Sequence, residues 1–187
     1  MHLWVTAAGV IGPPFVILKG ADLSGSTLLD KKQPGFQESD GWSNHLWQKS
    51  LTLKLSGKEV TALYKRPYLI DAKTNTVITA NAKGWMDFVT MIKWIEVQFA
   101  KWVASEAGLP NMLILDNCGS KLVNAVRTSF TEHGITMMAL PPNMTDKMQP
   151  LDLSVNGPLK AAMRESVRIL PKSEDFIPSK SELGLCI

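Results

Sequence analysis

Apolar positions recur along this chain with more than one period, and each period predicts a different element. Phe88, Ile92, Ile95, Phe99 and Trp102 follow one another at spacings of three or four, which lays a broad apolar stripe on one face of a helix ending near Gly108 and Pro110. Leu122, Val123, Val126 and Phe130 predict a second helix over 120–132, with Ser120 as its N-cap and Gly134 just past its end. Residues 111–115 instead form a short continuous apolar run ending in a carboxylate, which predicts a buried strand. Residues 135–140 predict the strand that follows. Strand, helix and strand in that order make an α/β unit with a right-handed crossover, so the ends at 116 and 140 should fall on the same side of the sheet.

Elsewhere the pattern is more broken. Residues 3–7 and 15–18 predict strands joined into a hairpin through Gly9 and the turn at Gly12, Pro13 and Pro14. From 21 to about 49 the chain is rich in Gly, Ser, Asp and Lys with scattered Trp, which predicts a long loop or insertion. Residues 51–55 alternate like a short strand, 71–76 read as a turn and 77–80 as another strand, both strands lying at a sheet edge. A last helix should run from 152 or 153 to about 170, disturbed at Gly157 and Pro158. The Pro, Ser and charge content of 171–187 predicts a disordered tail, leaving 1–170 as the domain.

Composition narrows the class. A chain of 187 residues with 45% hydrophobic content can bury a sizeable core, and one domain is the default. A net charge of +3 permits contact with nucleic acid without requiring it. Cys118 and Cys186 make no disulfide framework and no metal pattern, which favours a reduced compartment. The opening residues lack the basic and apolar regions of a signal peptide. With no run of 18 apolar residues, no membrane is expected as a partner.

The candidate chemistry lies between 111 and 160. Asp116 closes an apolar strand, where open α/β sheets bind ligands, and Asp152 stands where the last helix begins, with 35 residues between the two. Phosphoryl transfer with Mg²⁺ needs hard oxygen ligands grouped on a rigid scaffold, and two carboxylates are the minimum. The spacing therefore suggests a divalent-metal site.

The surrounding motifs carry a resemblance. LILDNCGSK at 113–121, LPPNMTD at 140–146 and QPLDLSVNGPLK at 149–160 closely resemble the DDE superfamily endonuclease domain of pogo/Tigger-type transposases. TAAGVIGPPFVILKG at 6–20 resembles that family's strand-turn-strand, and NAKGWMD at 81–87, before a long helix, its central segment. The resemblance covers roughly residues 1 to 169. It implies an RNase H-like mixed sheet flanked by helices, DNA strand cleavage and transfer, Mg²⁺ or Mn²⁺ as cofactor, DNA as partner, a nuclear location and room for a homo-oligomer. Asp116 and Asp152 then become catalytic, metal-binding residues. In such relatives the first acidic residue sits on a first strand upstream of the segment matched by 6–20. This chain is therefore expected to lack that strand, to expose an unpaired sheet edge and to be impaired as a nuclease. Lys121 stands where relatives usually carry His. The alternative is a non-catalytic DNA-binding or protein-interaction domain, or an inactive transposon fragment.

Ordinary structural roles compete for each residue. Asp116 could be a turn residue or helix N-cap, and Asp152 an N-cap. Asn117 is best read as a turn former, Cys118 as a small packing residue, His133 as a partner of the helix dipole and Asp146 as a solvated loop residue. Lys147, Lys160 and Arg164 could meet DNA phosphates or simply line a solvated helix face. Trp85, Trp94 and Trp102 read as core material rather than base-stacking platforms. Asp22, Asp30 and Asp71 are the acidic residues that could substitute for a third ligand.

Overall fold

The computed structural model describes residues 1–20, 41–55, 58–105, 111–116, 119, 123–142, 145–149 and 151–169. Strands β1 (Phe15–Lys19), β2 (Trp42–Leu55), β3 (Lys58–Asp71) and β4 (Val77–Asn81) form a four-stranded sheet in the order β1-β4-β3-β2. The β1–β4 pairing is parallel and the other two are antiparallel, so the sheet is mixed. Strands β5 (Asn111–Leu115) and β6 (Ile135–Ala139) form a separate parallel pair. The described strands thus make two ladders rather than one mixed sheet, and what joins them is side-chain packing: Leu115, Ile135, Val126 and Phe130 share one core with Phe15, Val77, Trp94 and Phe99.

Helix α1 (Phe88–Trp94) starts at Asp87, whose carboxylate accepts the Thr90 N–H at 2.7 Å. It runs through a π-helical turn (Ile95–Phe99) into α2 (Ala100–Ser105). The expected stripe proves too narrow, because every residue from Val89 to Ile95 is buried, Lys93 among them. The wide turn brings Gln98 to the carbonyls of Pro14 and Asn75, at 3.2 and 2.7 Å. Trp94 stacks on Phe99 with ring centroids 4.6 Å apart.

Three strand expectations need correction. Residues 42–49, expected in a loop, are strand, because β2 pairs with β3 along 14 residues and the inward positions Trp47 and Leu51 reach the core. Non-local pairing overrode the polar local composition. Strand β2 is an edge strand as expected, whereas β4 is interior and buried along its whole length between β1 and β3. The β5 strand is not buried on both faces, since Met112 and Ile114 point to solvent.

Other elements agree. His2 bridges Phe15 and Val5 bridges Ile11 in antiparallel fashion, the hairpin expected around Gly12. A side chain at Gly12 would collide with the Trp4 indole, its Cβ lying 1.9 Å from the ring, so only glycine lets this turn close. Asp71 begins the turn into β4, with Asn75 at φ 56°. Helix α3 (Asn124–Glu132) starts later than expected and ends at Gly134, φ 67°. Beyond it come α4 (Thr145–Met148) and a π-helical turn (Leu151–Val155) that runs directly into α5 (Asn156–Ile169), so the disturbance expected at Gly157 and Pro158 takes the form of a widened turn just before them. Ser120, Asn117, Cys118, Lys121 and the tail 171–187 lie outside the described residues.

Candidate functional site

The strand-helix-strand unit places the expected ends together. Leu115 pairs with Ala139, and the Leu140 N–H donates to the Leu115 carbonyl at 2.8 Å, extending the ladder by one bond. Asp116 follows directly, half-buried at the carboxyl end of β5. Its position is dictated by chain geometry: the ladder fixes Leu115, and the next side chain must emerge at the strand's mouth. The backbone of Asp152 lies in the π-helical turn before α5. Its side chain, and therefore the separation of the two carboxylates, lies outside the described residues, as does the side chain of Asp146.

The candidate third ligands resolve differently. Asp22 and Asp30 lie outside the described residues. Asp71 is spoken for by its own turn: its carboxylate accepts the Thr74 hydroxyl at 2.6 Å and the Thr74 and Lys73 N–H groups at 3.1 and 3.2 Å. The Thr74 hydroxyl chiefly holds its pKa below the usual carboxylate value, against the opposing effect of burial. A carboxylate so bonded is a turn cap rather than a ligand in waiting. Among the described residues no three His, Cys, Asp or Glu side chains gather as a metal cluster would.

The candidate phosphate contacts are exposed. Lys147 lies on α4, while Lys160 and Arg164, one helical turn apart, share a face of α5. On the same helix Arg168 is paired with Glu165 at 2.7 Å. His133 donates from Nδ1 to the Ser129 carbonyl at 2.8 Å, closing the end of α3 as its position predicts.

Two features escape a reading of the sequence. The first is Lys93, fully buried between α1 and the sheet, donating to the Thr79 hydroxyl at 2.6 Å and the Pro67 carbonyl at 2.9 Å, with the Tyr68 ring 5.1 Å from its nitrogen. Burial, aided by the neighbouring Arg66 charge, pulls its pKa down to about 7. Pro67 sits where the β3–β4 ladder stops at Tyr68, which leaves its carbonyl open to the lysine. The second is Trp85. Trp94 is buried and Trp102 packs half-buried on the core, as expected, but Trp85 is 77% exposed. All three share an apolar-looking segment, and only the turn at 81–85 separates their fates.

A profile of the DDE superfamily endonuclease family matches residues 51–176, a span that contains Asp116, Asp152 and every element from the middle of β2 to the end of α5. The chain belongs to this DDE family. Over 104 residues it is also 28% identical to a protein named MFS-type transporter clz9, from Cochliobolus lunatus. That similarity covers 55% of this chain and 11% of the relative's length. No described helix of this DDE-family chain is long and apolar enough to cross a membrane. Among solved structures, one similar chain comes from the simian T-cell lymphotropic virus intasome in complex with PP2A regulatory subunit B56 gamma, at 18% identity and a TM-score of 0.39. It covers 75% of this chain and 45% of the other, a superposition too loose to define a common fold.

Proposed function

We propose that this chain is a transposase-derived, RNase H-like DDE core that binds DNA, with Asp116 and Asp152 as its metal-binding carboxylates. The observation that carries the proposal is the family match across the β5–α3–β6 unit, which holds Asp116 at a strand mouth. A half-buried carboxylate on a hydrogen-bonded strand end suits a hard cation such as Mg²⁺ or Mn²⁺, and Asp152 would supply the second oxygen donor. Such an ion polarises a phosphate and acidifies the attacking water or hydroxyl. Lys147, Lys160 and Arg164 would hold the DNA backbone through charge, independent of sequence. A nuclear location and self-association belong to the same proposal.

Cleavage by these 187 residues alone should be weak. Two carboxylates leave one of two ions poorly fixed, and in-line displacement depends on both being held. For these residues taken alone the favoured reading is therefore a DNA-binding core with weak nuclease activity, and the turn-bound state of Asp71 supports it by removing one candidate for a third ligand. Nicking of supercoiled plasmid in Mg²⁺, with Asp116→Ala as control, tests the point. The expected result is salt-sensitive binding and no nicking above the variant; Mg²⁺-dependent nicking abolished by the substitution would overturn the impairment and require a further ligand.

A further inference from the structure

The turn between β4 and α1 is built with unusual economy around one buried side chain. Asn81 is 6% exposed. Its Oδ1 accepts the N–H groups of Lys83 and Gly84 at 3.1 and 2.7 Å, and its Nδ2 donates to the Trp85 carbonyl at 2.7 Å and the Thr90 hydroxyl at 3.2 Å. Its own carbonyl accepts from Gly20 at 2.9 Å, tying the turn to the end of β1. Gly84 has φ 69°, and a Cβ there would sit 3.0 Å from the Cβ of Lys19 and 3.2 Å from its Cα. The turn is therefore pressed flat against the last residue of β1, and only glycine fits.

This fixed turn presents Trp85 to solvent, 77% exposed, with Lys83 two residues before it and Lys19 across Gly84, both exposed as well. An indole so displayed gains nothing from burial, although the core lies close by and takes in Trp94 only nine residues later. An exposed aromatic face flanked by cations matches the chemistry of a nucleotide, whose base stacks on the ring while its phosphates meet the ammonium groups. Inside a duplex both faces of a base are covered by its stacked neighbours, so a ring of this kind favours a base that is single-stranded or flipped out of a duplex.

We propose that Trp85, with Lys83 and Lys19, is a stacking platform for an unpaired nucleotide of DNA. The inference rests on the DNA-binding reading and adds to it the strand state that this part of the surface would recognise. The indole contributes little to the fold, because the turn is held by the Trp85 carbonyl rather than the ring, so the ring can be removed without opening the turn.

Binding of oligo-dT and of a duplex of equal length to the whole chain tests the idea, comparing wild type with Trp85→Ala, Trp85→Phe and Lys83→Gln. Trp85→Ala should weaken oligo-dT binding on the order of tenfold and duplex binding far less, Trp85→Phe should retain most of the affinity, and Lys83→Gln should lower the salt slope for oligo-dT by roughly 0.7. Oligo-dT should also quench a tryptophan signal that Trp85→Phe lacks. Unchanged oligo-dT affinity in Trp85→Ala, or equal losses on both DNAs, would overturn the platform while leaving DNA binding intact. Wild-type chain that binds neither DNA at low salt would instead overturn the DNA-binding reading itself, and the platform with it.

Discussion

Helix α1 and strand β5 are both written in apolar residues, yet one is enclosed on every side and the other on one face only. From Val89 to Ile95 the helix buries every side chain, lysine included. Along β5 the side chains alternate, with Leu115 buried while Met112 and Ile114 are 56% and 50% exposed, and Met138 of β6 is 50% exposed beside them. The helix lies between the four-stranded sheet and the shared core, so all its directions are occupied. The β5–β6 pair meets that core with one face. The difference separates work within the molecule: the enclosed helix sets the frame, and the lightly covered pair carries Asp116 at its mouth, where a ligand can approach.

The sharpest way to break this comparison is to remove bulk from each side of it. Trp94→Ala deletes a fully buried indole stacked on Phe99 and should cost about 3–5 kcal/mol of unfolding free energy, read by urea denaturation. A loss below about 1 kcal/mol would mean that the helix is not enclosed as described.

The next effect concerns Lys93 and depends on pH. Its folded pKa of about 7 lies below the ordinary 10.5, so between those values the unfolded chain binds the extra proton and the folded chain does not. Stability should therefore rise with pH across that window, by up to ~1.4 kcal/mol per pH unit, and be lowest below pH 7. Lys93→Met should flatten the profile and stabilise the chain most on the acid side. The Pro67 carbonyl would not be orphaned, because the Thr79 hydroxyl also donates to it at 3.1 Å. Thermal midpoints between pH 6 and pH 9 decide the matter, and a flat wild-type profile would contradict the buried, deprotonating amine.

The smallest effect belongs to the open face. Ile114→Thr keeps a β-branched residue in the strand and removes apolar surface that is already half wet, so stability should change by less than about 0.5 kcal/mol. A loss of 2 kcal/mol in the monomer would show that this face is covered in solution.

Much of the C-terminal unit could be read from the residues, because its signals are local. The 111–115 run, the amphipathic spacing through Phe130, Gly134 as a stop and the right-handed crossover together require parallel β5 and β6 and put Asp116 at a strand end. The long β2–β3 ladder could not be read in this way. Its polar stretch 42–49 becomes strand only through residues about 20 positions away, and Pro67 in the partner argues locally against a strand. Lys93 was hidden for a similar reason: a lysine within an apolar stripe looks like a solvated edge until the helix is found to be enclosed. Trp85 is hidden because it groups naturally with Trp94 and Trp102 of the helix that follows, whereas its backbone belongs to the turn built on Asn81. Of the candidate site, the position of Asp116 follows from the strand pattern, whereas its partnership with Asp152 rests on spacing and family likeness, the Asp152 side chain lying outside the described residues.

The π-helical turn at Ile95–Phe99 gives the long helix a degree of freedom in its length. A widened turn absorbs one residue locally, so the segments before and after it keep their facing toward the sheet while the turn itself spreads polar groups sideways. Here those groups are Glu96, which takes the Trp47 indole N–H at 2.7 Å and pairs with Lys49, and Gln98, which reaches two loops. A homologue one residue shorter at this point could keep the same helical faces and the same core, yet would lose the cross-links to the edge strand and the turns. Insertions and deletions, rather than substitutions, are then the evolutionary variation to which this wall of the domain is most responsive.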